Sequence, residues 1–75
     1  MLTLKNDKFG KTYQIEKIDE KSPIKIRRRL LDLGFTSGQK VRAVRKSLLG
    51  KAFLVEIRGY TLSLRASVAE NILVR

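Results

Sequence analysis

The stretch that decides the fold spans residues 51–65 and reads KAFLVEIRGYTLSLR. Its first half is a strand pattern in which alternate residues share a face: Phe53, Val55 and Ile57 lie on one face, and Leu54, Glu56 and Arg58 lie on the other. Gly59 then fits a tight turn, because glycine adopts the positive φ angles that short turns require. Leu62 and Leu64 continue the alternation beyond the turn. The stretch therefore predicts a β-hairpin with one face in the core.

Shorter patterns on both sides of this hairpin predict the other strands. Residues 13–16 alternate in a strand that ends near Ile18, residues 39–46 fit a strand with Val41 and Ala43 facing inward, and residues 72–74 form an apolar run of strand length. Val44 is out of phase with the inward-facing residues of its strand, which indicates a β-bulge. Residues 66–71 fit one short helical turn.

One helix is predicted between the first and second strands, over residues 23–33. Pro23 suits the first helical position because its missing N–H has no partner there, and Ser22 is placed to cap the free amides. Gly34 ends the helix, because glycine tolerates the left-handed conformation that follows a last turn. A helical wheel groups three apolar residues on one side, which we expect to face the core: Ile26, Leu30 and Leu33.

The order of these elements is a strand, a long insertion, a three-stranded meander, a helical turn and a last strand. The last strand can close against the first, which removes exposed sheet edges, and residues 2–10 are expected to lie along the barrel edge. We therefore predict a mainly β fold, a small SH3-like barrel of about five strands with a helix inserted between the first and second strands. At 75 residues, the chain is expected to form a single domain over residues 1–75.

The composition favours a basic cytoplasmic protein. Seventeen Lys and Arg face seven Asp and Glu, a formal charge of +10, which attracts nucleic acid, anionic membranes or acidic protein surfaces. The absence of cysteine excludes disulfides and suits a reducing compartment. No continuous apolar stretch is long enough for a signal peptide or a membrane span, so we expect a cytoplasmic location.

The residue types needed for metal binding and catalysis are missing. The sequence has no histidine and no cysteine, which transition-metal sites commonly use. Asp19 and Glu20 are adjacent carboxylates, but Lys17 and Lys21 flank them, which indicates a solvated turn. Serine and lysine lack a histidine base, and no glycine-rich phosphate loop occurs. We therefore expect no catalytic residue, no metal, no cofactor and no enzyme activity.

Two apolar pairs are candidates for contact with a partner. Leu48 and Leu49 fall in the loop after the second strand, where side chains are usually solvated, and the alternative is that one of them folds back to cap the barrel. Ile24 and Leu31 form a second ridge on the helix, opposite its core-facing side. The alternative there is a half-buried helix wedged between the barrel and the N-terminal segment.

Arg27 and Arg28 flank this second ridge, and Arg29 follows them. Successive helical residues point about 100° apart, so the three arginines do not form one patch. Solvated surface is the simplest interpretation, and a salt bridge from one of them to Asp32 or Glu16 is an alternative. We include the first two arginines in the candidate contact surface.

Several segments of the sequence, spread over most of its length, have a characteristic order and spacing. RLLDLGF at residues 29–35, followed by Gly38 and Val41, resembles the helix-and-turn signature of the FeoA family, small accessory proteins of bacterial ferrous iron transport. SLLG at residues 47–50 resembles its loop, and RGYTLSLR at residues 58–65 resembles its hairpin. Three further residues fit its closing segment: Ala69, Ile72 and Val74.

The resemblance implies an SH3-like domain that acts by contact in the cytoplasm. Its implied partner is the cytosolic part of the ferrous iron transporter FeoB, which carries a GTP-binding domain, and docking there would modulate transport or nucleotide turnover. The basic surface suits an acidic partner face or the anionic inner leaflet beside the transporter. The Leu48–Leu49 loop and the Ile24–Leu31 ridge are then the preferred contact regions.

A nucleic-acid-binding small barrel, RNA- or ribosome-associated, is the alternative function. The net charge supports it, but three Phe and two Tyr, several of which the core needs, leave few platforms for base stacking. Binding to nucleic acid with a steep salt dependence would favour this alternative. Retention on the immobilised transporter domain at moderate salt would favour the protein partner.

Overall fold

The computed structural model describes residues 2–6, 10–47 and 49–75. After a 3₁₀ turn at Leu4–Asn6, these residues form strands and two helices around one core. In chain order the elements are β1 (Thr12–Ile18), α1 (Ile24–Asp32), β2 (Lys40–Lys46), β3 (Ala52–Ile57), β4 (Tyr60–Arg65), α2 (Ala66–Ala69) and β5 (Ile72–Val74).

The strands form one antiparallel sheet in the order β4-β3-β2-β1-β5. β5 pairs with β1, so the last strand closes against the first as the sequence predicts. α1 is inserted between β1 and β2, which confirms the mainly β fold with one long insertion. α2 is the predicted short helical turn between β4 and β5.

The core is filled from the sheet and from α1. The three apolar residues predicted to share one face of β3 are buried, and Leu64 of β4 is buried with them, whereas Leu62 is half-buried. α1 contributes Leu30, while Ile26 and Leu33 are half-buried and pack against the core. The predicted core-facing side of α1 is therefore the side that contacts the sheet.

β2 contains the β-bulge that the sequence predicts. Its pairing with β3 shifts between Ala43 and Arg45, so Val44 is the extra residue. Ala43 pairs with Val55, and Arg45 pairs with Leu54. The bulge explains why Val44 breaks the apolar–polar alternation, since an unpaired extra residue shifts the phase of every later side chain.

The start of α1 corrects one sequence prediction. Ser22 does not cap the helix, because its hydroxyl donates to the Asp19 carbonyl and its N–H donates to the same oxygen at 3.0 Å. Both groups close the turn before the helix, and Pro23 stands at the N-cap. α1 is consequently one residue shorter at each end than predicted. Gly34, with φ of +100°, follows its last turn as predicted.

The two outer strands of the sheet have different surroundings. Beside β5, Thr3 forms an isolated bridge with Leu73, and the Val74 N–H donates to the Leu2 carbonyl at 3.0 Å. The N-terminal segment therefore lies along this edge, as predicted, for the part that the structure describes. Across the described ranges, β4 pairs with β3 alone. We call the outer side of β5 the closed edge and the outer side of β4 the open edge.

Candidate partner-binding surface

The tip loop, residues 47–51, joins β2 to β3 and is held by its own hydrogen bonds. The Ser47 Oγ accepts the N–H of Lys51 and the N–H of Ala52, both at 3.1 Å. The Gly50 N–H donates to the Ser47 carbonyl at 2.9 Å, and Gly50 has φ of +69°. A short hydroxyl that reaches two amides and a glycine that accepts positive φ together fix the turn. These bonds fix the described residues of the loop, Ser47 and residues 49–51, relative to one another.

Leu49 lies in this tip loop and is 77% exposed, more than any other large apolar side chain in the described ranges. It does not fold back onto the barrel. Leu48, the other predicted contact residue of the loop, lies outside the described residues. Arg45, Lys46 and Lys51 are exposed around the loop. The tip loop therefore presents an apolar side chain within a basic surround.

A groove of about 590 Å³ adjoins the tip loop. It separates the loop from the start of α2, and the 3₁₀ turn contributes to one wall. Its lining residues are Lys5, Gly50, Lys51, Ala52, Arg65, Ala66 and Ser67. A side chain of a partner that contacts the tip loop would have this basic groove beside it.

The helix ridge, Ile24 and Leu31, lies on the outer side of α1. Ile24 is 60% exposed and Leu31 is 46% exposed, so both side chains face solvent. Arg28 lies on the same face between them and is exposed, whereas Arg27 is half-buried. Within the described residues no ion pair joins an arginine of α1 to a carboxylate, so the alternative of a salt bridge is wrong.

A second groove, which the sequence analysis did not identify, separates α1 from β4. This edge groove has a volume of about 340 Å³ and combines apolar side chains from both sides with two exposed arginines. Its lining residues are Ile26, Arg29, Leu30, Leu33, Ser63, Leu64, Arg65 and Val68. The groove lies between a helix and a strand that are distant in sequence. A local sequence pattern therefore cannot predict it.

One end of the edge groove is closed by contacts between the β3–β4 turn and the end of α1. The Tyr60 hydroxyl donates to the carbonyl of Leu33. The Arg58 side chain crosses Gly34 so closely that a Cβ on this glycine would lie 2.6 Å from the Arg58 Cδ. These two contacts fix the end of the helix against the hairpin and leave the groove open along β4.

The described part of the chain contains no cluster of metal-ligating side chains and only a few ion pairs. In residues 2–6, 10–47 and 49–75, no group of three His, Cys, Asp or Glu side chains could hold a metal ion. The ion pairs found there join partly exposed groups, for example Arg42 and Glu56 at 3.2 Å, and such pairs contribute about 0–1 kcal/mol each. No helix in the described part of the chain is long and apolar enough to cross a membrane.

Most aromatic rings are unavailable for stacking on a nucleic-acid base. Tyr13, Phe35 and Phe53 are buried in the core. Tyr60 is 40% exposed, but its hydroxyl is used to hold the end of α1. Phe9 lies outside the described residues. The described surface therefore offers one partly exposed ring beside its many cations.

A sequence profile of the FeoA domain matches residues 2–75. The chain belongs to the FeoA family. This confirms the family that the helix-and-turn, loop and hairpin segments indicate. No protein of curated function matches the sequence.

Solved structures of FeoA proteins have the same fold. The Stenotrophomonas maltophilia FeoA, crystallised with zinc, is 31% identical over 100% of this chain and 91% of its own, with a TM-score of 0.87. It is described as a prokaryotic SH3 domain protein and a possible ferrous iron transport activating factor. A FeoA-like protein from Clostridium acetobutylicum is 31% identical, with a TM-score of 0.88 over 99% of this chain and 84% of its own.

A third solved FeoA structure is similar over nearly all of this chain. The FeoA protein of Chlorobium tepidum is 32% identical over 97% of this chain and 68% of its own, with a TM-score of 0.87. Together with the antiparallel sheet and the inserted helix, these likenesses confirm the predicted SH3-like fold.

Proposed function

We propose that this FeoA protein is a non-enzymatic cytoplasmic accessory protein of ferrous iron uptake that docks on the cytosolic part of the FeoB transporter and modulates it. Family membership supports the role in iron transport, and the description of the Stenotrophomonas maltophilia relative as a possible transport activating factor suggests a protein partner. The observation that carries the docking is Leu49, an exposed apolar side chain on a loop of defined shape.

The tip loop has the properties of a small binding anchor. A leucine left in water forgoes about 2 kcal/mol of burial, and a polar residue at this position would make the same turn. The Ser47 hydrogen bonds hold the loop before any partner arrives, so less ordering accompanies binding. The surrounding cations suit a partner groove bordered by acidic side chains. Docking through Leu49 therefore has an apolar centre and a charged periphery.

The helix ridge is a second candidate contact region. Ile24 and Leu31 are exposed on one face of α1 with Arg28 between them. An amphipathic ridge of this kind suits a flat or shallow partner surface rather than a deep pocket. We propose it as a secondary contact, and the experiment below separates it from the tip loop.

Nucleic acid is the competing partner, and the charge of +10 supports it. The burial of the aromatic rings argues against base stacking, because sequence-tolerant single-strand binding relies on exposed aromatic platforms. The two partners also differ in salt dependence. Phosphate binding weakens steeply as salt rises, whereas an apolar anchor with a charged periphery loses affinity only modestly.

The test is binding of the purified cytosolic region of the transporter to wild-type protein, Leu49→Ser and Leu31→Ser. Leu49→Ser should weaken binding by about tenfold or more while leaving the thermal midpoint almost unchanged. Leu31→Ser tests the helix ridge as the secondary contact, and it should weaken binding by only about twofold to threefold.

Two results would contradict the assignment. A drop of several degrees in the thermal midpoint of Leu49→Ser would mean that this leucine supports the fold. Wild-type protein that binds RNA in preference to the transporter region, with a steep salt dependence, would transfer the function to the nucleic-acid alternative.

A further inference from the structure

The open edge of the sheet offers unpaired backbone groups. The two-residue turn at Arg58 and Gly59 makes Ile57 and Tyr60 the first hydrogen-bonded pair of the β3–β4 ladder. Because bonded and non-bonded pairs alternate in an antiparallel ladder, the N–H and C=O of Thr61 and Ser63 point away from β3. Nothing else in the described part of the chain forms hydrogen bonds with these groups.

The edge groove lies directly beside these backbone groups. Ser63, Leu64 and Arg65 of β4 form one wall, and α1 forms the other with Ile26 and Leu33. A groove lined by apolar side chains beside outward-pointing N–H and C=O groups is the arrangement in which an extended peptide adds to a sheet edge as a further strand. The contacts of Tyr60 and Arg58 with the end of α1 hold the groove at one end.

The side chains on the two faces of β4 determine what such a strand must carry. Leu64 faces inward toward the apolar groove, and Arg65, its neighbour, faces the opposite side of the strand. Arg29 lines the groove from the helix. An added strand therefore needs apolar side chains on its inward face and carboxylates on its outward face.

We infer that the open edge of β4 binds an extended acidic peptide segment of a partner protein as a sixth strand. A second copy of this chain is a poor occupant, because it would bring its own Arg29 and Arg65 against those already present on a protein of charge +10. The inference rests on the proposed function in that the transporter is the expected source of the peptide. It is separate from the tip loop, which offers an anchor but no backbone pairing.

The proposal is tested first without the transporter. The probe is a synthetic capped hexapeptide of alternating glutamate and valine, titrated into isotope-labelled protein and followed by backbone amide signals. We expect saturable binding with the largest shifts at Thr61, Ser63 and Leu64, and binding weaker by about tenfold for a lysine–valine hexapeptide of the same length. No saturable shift at millimolar peptide, or equal binding of both peptides, would overturn the proposal.

Two matched variants distinguish backbone pairing at the open edge from nonspecific peptide binding. Ser63→Pro removes the outward N–H without touching the ladder to β3, and Ser63→Ala removes the hydroxyl but keeps the N–H. Binding should fall by about tenfold in the proline variant and stay within about twofold of wild type in the alanine variant. Should Ser63→Pro unfold, Arg65→Glu with Arg29→Glu replaces it, and reversed preference for the lysine–valine peptide is expected.

The transporter then distinguishes this inference from the proposed function. Loss of binding to the cytosolic region in Ser63→Pro, but not in Ser63→Ala, supports both transporter docking and strand addition at the open edge. Equal binding of wild type and Ser63→Pro overturns edge pairing as the docking mode and leaves transporter docking intact. Failure of the wild type and of every variant to bind the cytosolic region overturns the proposed function. The hexapeptide titration still shows whether the open edge binds an acidic strand. Dimers of wild type that Ser63→Pro abolishes would make a second copy the occupant and overturn the acidic peptide.

Discussion

The two edge strands of this sheet differ in whether their outward N–H and C=O groups are hydrogen-bonded by the chain itself. At the closed edge, Leu2 and Thr3 use the backbone groups of β5, with the Val74 N–H on the Leu2 carbonyl at 3.0 Å. At the open edge, the outward groups of Thr61 and Ser63 have no partner in the described chain. The difference teaches where a partner can bind: an edge completed by its own chain contributes stability, and an edge left incomplete contributes recognition.

The open edge is nevertheless protected from unwanted pairing. β4 spans Tyr60–Arg65, and its outward face carries Thr61, Ser63 and Arg65. A charged side chain on an edge strand discourages indiscriminate strand addition. Selectivity for an acidic strand then follows from the same arginine that discourages other strands.

Amide hydrogen exchange should show the largest difference between the two edges. The Val74 N–H is hydrogen-bonded at the closed edge, and the Thr61 and Ser63 N–H groups at the open edge form no hydrogen bond with the residues that the structure describes. After correction for intrinsic rates, we expect Val74 to exchange at least about tenfold more slowly, because its N–H is released only when the N-terminal segment with the buried Leu4 detaches. Comparable rates at the two edges would contradict the distinction.

Proline substitutions at the two edges should differ in their effect on the free energy of unfolding. Val74→Pro removes a bonded N–H at the closed edge and should cost about 3 kcal/mol or more, or prevent folding. Ser63→Pro at the open edge should cost less than about 1 kcal/mol. Urea denaturation measures both, and Val74→Ala separates the loss of the buried side chain from the loss of the N–H. Equal losses for the two prolines would mean that β4 has a partner after all.

Leu4→Ala tests how much side-chain packing of the N-terminal segment contributes to the stability of the closed edge. Leu4 is fully buried in the 3₁₀ turn beside β5, so we expect a loss of about 3 kcal/mol in the free energy of unfolding. Leu2→Ala is the control, because Leu2 is exposed and keeps its carbonyl for Val74, and its loss should stay below about 1 kcal/mol. A small effect of Leu4→Ala would mean that the N-terminal cover contributes little to stability.

Tyr60→Phe tests the hydrogen bond between the β3–β4 turn and the end of α1. The substitution removes the hydroxyl that donates to the Leu33 carbonyl and keeps the ring. A stability loss of about 1 kcal/mol is expected from thermal or urea unfolding, since the bond is partly exposed. The hexapeptide should also bind with altered affinity, because the helix end is then less firmly held. An unchanged melting curve together with unchanged peptide binding would remove Tyr60 from this role.

Metal addition should have the smallest effect of all. Neither edge supplies a trio of ligands in the described residues, and the sequence has no histidine or cysteine. Ferrous iron should therefore shift the thermal midpoint no more than another divalent ion does. Calorimetry that detects a stoichiometric site of micromolar or tighter affinity, roughly 8 kcal/mol, would refute this.

The fold was largely predictable because its signals are local. The alternation in β3 and β4, the out-of-phase Val44 and the terminating Gly34 each act within a few residues, and the structure has all of them. The predicted helix cap at Ser22 is wrong because a competing acceptor, the Asp19 carbonyl, lies in the preceding turn. A capping motif in sequence does not reveal which acceptor the hydroxyl will find.

The candidate surface was predictable only in part. An exposed Leu49 follows from two leucines in a loop whose neighbouring strands already fill the core. The edge groove does not follow from any pattern, because Ile26 and Leu64 meet only after the chain has closed. Whether an edge is closed or open depends equally on distant residues, here on where Leu2 and Thr3 come to lie.

The closed edge also has a consequence for how the chain folds. Lys5 and Glu70, which lie next to it and form an ion pair at 3.2 Å, are 65 positions apart in sequence. Contacts of such separation form late, because the loop entropy must be overcome before they contribute any stability. We expect the β3–β4 hairpin to form early and the two ends of the chain to join in the slowest step. During synthesis, the domain can therefore be completed only after residues 72–74 have left the ribosome.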